Sequence, residues 1–327
     1  MRKALTPLIG VLVGLAFLIP VAIGLMQGRV IEIELVKPRT AKEALQQAYT
    51  KHFQEKDYQR AIEKYRWVVE KFPDSEEAIE ARYRIGNVYQ WDLVEPEKAI
   101  QEYQKIVEKH PDSDYAIAAL IRIGESYGRM RKFEKSLIFF QRVIKKYPRS
   151  PYVRGALIRQ AHTLLFDLGR VQEANSIYEK VLATSPGTEE ASEARLRLIW
   201  IQLLQGEKTK EKAIEAFKKI RDDMSEPYNV RASAQYMIAF IGESMGKPPS
   251  ESIADFRRVL NDFPNAYQDL HALSLYQIGE IYEIKEGDFD SASEIYRQGL
   301  IKFPKSFWRV KFLKGLQRIG IKRKIRG

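Results

Sequence analysis

The chain has 327 residues, and its 54 Lys and Arg against 43 Asp and Glu give a net charge of +11. It has no cysteine, which excludes disulfide frameworks, thiolate zinc sites, iron–sulfur clusters, cysteine nucleophiles and a lipid-modified cysteine anchor. With 45% hydrophobic and 30% charged residues, it has the apolar matter for a large core and does not read as a disordered chain.

The positive charge sits at the two ends. Residues 1–29 carry Arg2, Lys3 and Arg29 and no acid, and Lys302 to Gly327 hold ten bases and no acid. The long middle is slightly negative. A nucleic-acid-binding body would instead show basic residues clustered along its faces, so nucleic acid is not an expected partner of the body.

The run from Ala4 to Met26 carries no charge. As a helix it would span about 34 Å, enough to cross a hydrocarbon core of about 30 Å. Residues 1–29 are therefore expected to form a transmembrane anchor. Arg2, Lys3, Pro20 and the small-x-small Ala22-Ile23-Gly24 also fit a cleavable signal, and the length favours the anchor. Gly10 and Gly14 form a G-x-x-x-G pair through which two anchors could dimerise. Bases flank the run on both sides, but long domains translocate largely regardless of charge and a very short basic leader stays in the cytoplasm. The expected location is the inner membrane, single-pass, with the rest of the chain in the periplasm.

Residues 30–39 form a linker with alternating Ile31-Glu32-Ile33-Glu34-Leu35, ending at Pro38. Thr40-x-x-Glu43 then reads as a capping box opening the first helix of the body. From there one pattern recurs: a small residue, an aromatic four positions later, and in six of seven cases a proline eight positions after that. The instances are Ala61-Tyr65-Pro73, Ala99-Tyr103-Pro111, Ser136-Phe140-Pro148, Ala174-Tyr178-Pro186, Ala213-Phe217 without a proline, Ser252-Phe256-Pro264 and Ala292-Tyr296-Pro304. The aromatics recur at a period of about 37 to 40 positions, and seven registers at so narrow a period mark a repeat array.

Each unit reads as two helices. In the second, Asp74-x-x-Glu77 is expected to cap a helix carrying Ala78, Ala81, Ile85 and Tyr89 at i, i+3, i+4 spacing. Pro96 marks the turn to a helix with Ala99, Tyr103 and Ile106, and the prolines stop each second helix. The small residue admits a neighbouring helix and the aromatic fills the space beside it.

The units resemble tetratricopeptide repeats. Ile85-Gly86 with Tyr89, Ile123-Gly124 with Tyr127 and Ile278-Gly279 with Tyr282 match that family's first-helix positions. The small, aromatic and proline positions match its second helix. The period exceeds the family's usual one through longer turns such as Trp91 to Pro96. The resemblance implies an all-α, right-handed superhelical α-solenoid of about seven helix pairs over residues 40–305, followed by a capping helix and basic tail over 306–327. The endings Lys-Phe-Pro-Asp-Ser75, Lys-His-Pro-Asp-Ser113 and Lys-Tyr-Pro-Arg-Ser150 are similar to those of bacterial envelope members, such as the outer-membrane assembly lipoprotein and the Tol-Pal coordinator. Those relatives imply a periplasmic scaffold.

No chemistry-bearing motif appears. His52, His110, His162 and His271 fall singly in separate repeats, and no H-E-x-x-H, G-x-S-x-G or phosphate-binding glycine loop is present. No enzymatic activity, cofactor or metal is expected. The family's groove positions carry over to Tyr83, Asn87, Gln90 and Trp91 in one unit, Glu125 and Arg129 in the next, and Tyr276, Glu280 and Glu283 in the last. Aromatics beside hydrogen-bonding side chains suit a peptide. The family's carboxylate clamp is not matched, since Tyr83 stands where lysine is wanted and Glu125 where asparagine is wanted. Trp308, Phe312, Leu316 and Ile319 form the apolar stripe of the capping helix, and Lys322, Arg323, Lys324 and Arg326 lie beyond it, free to meet something acidic. The expected function is a membrane-anchored scaffold that binds envelope proteins to assemble a complex. The alternative is a cytoplasm-facing adaptor whose basic tail binds lipid or nucleic acid.

Overall fold

The computed structural model describes residues 38–326 apart from 305 and 307, with side chains described as far as Gly320. The apolar run, its G-x-x-x-G pair, residues 30–37 and the side chains of Lys322, Arg323, Lys324 and Arg326 lie outside the described residues. Within them there are helices and no strand, and no helix is long and apolar enough to cross a membrane.

Seven helix pairs follow one another, then a terminal helix. The pairs are α1 (Ala41–Tyr49) and α2 (Tyr58–Lys71), α3 (Glu76–Asn87) and α4 (Pro96–Lys109), α5 (Asp114–Arg129) and α6 (Phe133–Lys146), α7 (Tyr152–His162) and α8 (Val171–Thr184), α9 (Glu189–Leu204) and α10 (Lys210–Asp222), α11 (Tyr228–Ser244) and α12 (Pro249–Asn261), and α13 (Gln268–Glu280) and α14 (Phe289–Lys302); α15 (Arg309–Arg326) ends the array. The described residues divide into two compact units between Ala116 and Ile117.

The prolines end the second helices by restricting the residue before them. Phe72, His110, Tyr147, Ser185 and Phe303 adopt nearly one conformation, φ −125 to −140° and ψ 47 to 56°, because the following ring removes the α region. Two residues past the proline, Ser75, Ser113 and Thr188 work in both directions. Each hydroxyl donates to the carbonyl of Phe72, His110 or Ser185, and accepts from the amide of Ala78, Ala116 or Ala191 in the next helix. Ser75, not Asp74, is thus the N-cap of α3. Where the proline is missing, Asp223 makes the turn, its Oδ1 accepting from the Ser225 amide at 2.9 Å and hydroxyl at 2.6 Å. At the first helix of the body, Thr40 accepts from the Glu43 amide as expected, and Glu43 reaches back to the Arg39 amide.

The recurring residues are the core. Tyr65, Tyr103, Phe140, Tyr178, Phe217, Phe256 and Tyr296 are all buried, as are the small residues four positions before them. The first-helix glycines are sites of close approach. A Cβ on Gly86 would lie 2.4 Å from the Tyr103 ring, on Gly124 2.6 Å from Phe140, and on Gly279 2.3 Å from Tyr296.

The long turns after four of the first helices are not loops. The helix continues as a π turn at Thr50–Gln54, Val88–Asp92, Thr163–Asp167 and Ile281–Glu286. Each carries a buried residue thirteen positions before its core tyrosine: His52, Gln90, Leu165 and Glu283. Two of these meet the tyrosine hydroxyl, His52 Nδ1 at 3.1 Å from Tyr65 Oη and Glu283 Oε2 at 3.0 Å from Tyr296 Oη. Tyr103 donates to Asn87 of α3. Tyr178 faces the register position of Leu165, and its buried hydroxyl has no hydrogen-bond partner. Because an unsatisfied buried hydroxyl costs about 1 to 3 kcal/mol, Tyr178→Phe is expected to raise stability by about 1 kcal/mol. A urea titration checks this, and a lowered midpoint would refute it.

Candidate functional site

In the first unit the four groove residues divide by role. Tyr83 is half-buried, its ring 5.6 Å from both Tyr103 and Tyr115. Asn87 Oδ1 accepts from the Tyr103 hydroxyl at 2.8 Å, and Gln90 is buried. These three are drawn into the packing of this pair and, through Tyr115, of the next, while Trp91 stands exposed on the π turn after α3. Sequence reading missed the polar cluster one turn earlier on α3. Glu80 accepts from the Tyr49 hydroxyl and pairs with Arg84 at 2.9 Å. Burial opposes the charge on Glu80, but the Tyr49 and Arg84 hydrogen bonds and the Arg84 charge hold its carboxyl below the usual range. Burial, then the Glu80 hydrogen bond, push Tyr49 up to about 12.

In the second unit, polar rungs tie successive first helices together. Glu125 on α5 pairs with Arg122 at 2.7 Å and reaches Arg159 on α7 at 2.5 Å; these two guanidiniums overcome the penalty of burial and lower its pKa. Arg129 lies exposed at the end of α5. The next rung joins α7 to α9: Glu193 lies 3.2 Å from His162 and 3.3 Å from Arg197, and Arg197 covers the Phe166 ring at 5.3 Å.

Beyond that rung α9, α11 and the start of α13 border a small open cleft with a cavity volume of about 20 Å³, lined by Glu189, Glu193, Leu196, Arg197, Asn229, Val230, Ser233 and Tyr267. Asn229 Oδ1 accepts from the Tyr267 amide at 3.2 Å, which fixes the tyrosine at the mouth. Tyr267 is 59% exposed, and its hydroxyl is 3.5 Å from Glu189 Oε1. An exposed aromatic beside a carboxylate, an amide and a hydroxyl offers contact area together with hydrogen bonds, the combination that anchors a peptide segment. None of Glu189, Asn229, Ser233 or Tyr267 was predicted. The available signal was Tyr228 and Tyr267, one repeat apart at the openings of two first helices.

The His162–Glu193–Arg197 rung makes the second unit acid-sensitive. Burial is the main cause that lowers the His162 pKa below 6.5. For Glu193, burial is outweighed by His162 and Arg197, and the pKa falls from 4.5 to about 2. Both groups bind protons more readily when unfolded. Stability from His162 is present above about pH 6.5 and declines below it; that from Glu193 is present above 4.5 and is lost as pH falls through about 2. With Glu193 partly exposed, its share is about 2 kcal/mol. Urea midpoints measured against pH should fall on the acid side, and Glu193→Gln should flatten the part below about pH 4.5. Parallel curves for the two proteins would contradict this.

Tyr276, Glu280 and Glu283 do not line an open groove, because the terminal helix lies over them. Glu283 is 2% exposed and bonded to Arg318 of α15 at 2.8 and 3.1 Å. Glu280 accepts from Tyr276 at 2.6 Å and lies 3.8 Å from Arg318. The Tyr276 ring sits 5.6 Å from Trp308 and 6.1 Å from Phe312. Groove positions of the last pair meet, in this chain, the helix that ends the array.

Among the described residues no group of His, Asp and Glu could hold a metal ion. His52 joins Tyr65 and Asp92, His162 joins Glu193, and His271 Nε2 lies 2.8 Å from the Phe263 carbonyl oxygen.

Residues 80–113 and 118–150, 160–227 and 272–300 each match the family described as tetratricopeptide repeat. No curated protein matches the chain. In three dimensions it is similar to a tetratricopeptide repeat protein from Parabacteroides merdae, with a TM-score of 0.62 and 15% identity over 86% of this chain and 99% of that one. It is also similar to a chain of the APC/C hetero-tetramer Cut9–Hcn1, with a TM-score of 0.50 and 16% identity over 90% of this chain and 51% of that one. At these identities the likeness concerns the fold. With matches along both units and the glycine, small-residue and aromatic positions packed as that repeat requires, the chain belongs to the tetratricopeptide repeat family.

Proposed function

We propose that the protein is a membrane-tethered scaffold of a bacterial envelope, holding extended segments of partner proteins in the first-helix groove of its second unit. The tetratricopeptide repeat fold supports a role in binding other proteins. The observation that carries the reading is the small cleft at α9, α11 and α13, where Tyr267 stands exposed beside Asn229 and Glu189. The charge-free run Ala4 to Met26 supports the tether, and the basic leader before it supports a periplasmic face for the repeats.

A photo-crosslinking residue at Tyr267 in living cells, with a second at Trp91, tests it. Capture of periplasmic or outer-membrane proteins at Tyr267 supports the reading. Capture of cytoplasmic proteins alone overturns the orientation, and the absence of any adduct at Tyr267 with adducts at Trp91 moves the site to the first unit. Fusion of a reporter active only outside the cytoplasm checks the topology separately.

A further inference from the structure

The outward face of α15 presents both charge and apolar surface. Its inner face is fully occupied: Phe312 and Ile319 are buried, Gly315 lies against the Tyr296 ring, and Arg318 is bonded to Glu283. The opposite face carries Val310, 56% exposed, and Leu313, 41% exposed, three residues apart and therefore neighbours on one side of the helix. Lys311 and Lys314 stand exposed among them, and Ile301, at 79% exposure, ends the preceding helix beside exposed Lys302. No acid interrupts Lys302 to Gly327, whereas bases number ten.

We propose that this face of α15 docks on anionic phospholipid headgroups. Lysines interleaved with exposed aliphatic side chains match a bilayer interface, which takes the charges at the phosphates and the apolar groups just below them. A nucleic-acid surface would engage the lysines and leave Val310 and Leu313 in water. Such a contact would give the chain a membrane attachment at its C-terminal end, separate from the charge-free run near its start. The docking does not depend on that run being an anchor.

The full chain is mixed with nanodiscs of phosphatidylcholine alone or of phosphatidylcholine with phosphatidylglycerol, and amide exchange in residues 309–326 is followed by mass spectrometry. Exchange should slow with the anionic discs only, and recover at high salt. Exchanging Lys311, Lys314, Lys322 and Lys324 together for glutamine should weaken the effect roughly a thousandfold. Leu313→Asp, at an exposed position that leaves the inner face intact, should also weaken it. Equal exchange with both discs, an unchanged response in the four-lysine variant, or stronger protection by duplex DNA than by phosphatidylglycerol overturns the proposal. Co-elution with the neutral discs reports the N-terminal tether by itself, so the failure of one attachment is distinguishable from the failure of the other.

Discussion

Tyr103→Ala is expected to destabilise the first unit by about 3 to 5 kcal/mol, the cost of emptying a fully packed aromatic site. Tyr103 is completely buried, its ring presses on the bare backbone of Gly86, its edge meets Tyr83, and its hydroxyl satisfies Asn87. Removal therefore opens a cavity and leaves the Asn87 carbonyl oxygen to find another donor. Gly86→Ala should destabilise as well, by about 1 to 3 kcal/mol, since its Cβ would sit 2.4 Å from the ring. The two changes share one volume, so they cannot add. With the ring gone, the new methyl has room, and the double variant should be less destabilised than the sum of the singles. Urea unfolding followed by amide exchange over residues 76–109 reads the cycle. Strict additivity would show that Gly86 and Tyr103 do not pack as described.

The same contact explains why the fold is legible in the sequence. Glycine, small residue and aromatic recur because each performs one packing task in every pair, so their shared period exposes the array. Local chemistry marks most helix ends too, through the proline that follows nearly every second helix. Asp74 was a wrong choice of cap because Asp74 and Ser75 are both good caps, and only the three-dimensional turn shows that Ser75 also reaches the Phe72 carbonyl. The π turns look like loops in the sequence because they differ from an α-helix by one residue of register and no residue type demands them.

The binding surface was less readable, for a different reason. A groove position is defined by the neighbour it faces, and the neighbour is another repeat. Tyr267, Glu189 and Asn229 come from three repeats and mean nothing separately; stacking alone makes them a cleft. Conversely, Glu283 matched a groove position of the family, yet the element beside it here is α15 rather than open solvent.

That substitution makes Glu283 the source of the second large effect. Its side chain is completely inaccessible while Arg318, its partner, is 39% exposed, so the pair is buried on one side only. Arg318→Ala would remove the guanidinium bonded to an inaccessible carboxylate beneath α15, and breaking such a pair costs about 3 to 5 kcal/mol when both partners are buried. Water can enter along the path Arg318 vacates, which brings the expectation to about 2 to 3 kcal/mol. The loss should concentrate in residues 268–326, where amide exchange would accelerate and α15 would detach first. The penalty is electrostatic rather than steric, so neutralising the stranded group should recover much of it. Glu283→Gln in the Arg318→Ala background keeps the shape, removes the charge and can still accept from the Tyr296 hydroxyl. If the double variant is no more stable than Arg318→Ala alone, Arg318 acts through the packing of its stem and not through Glu283.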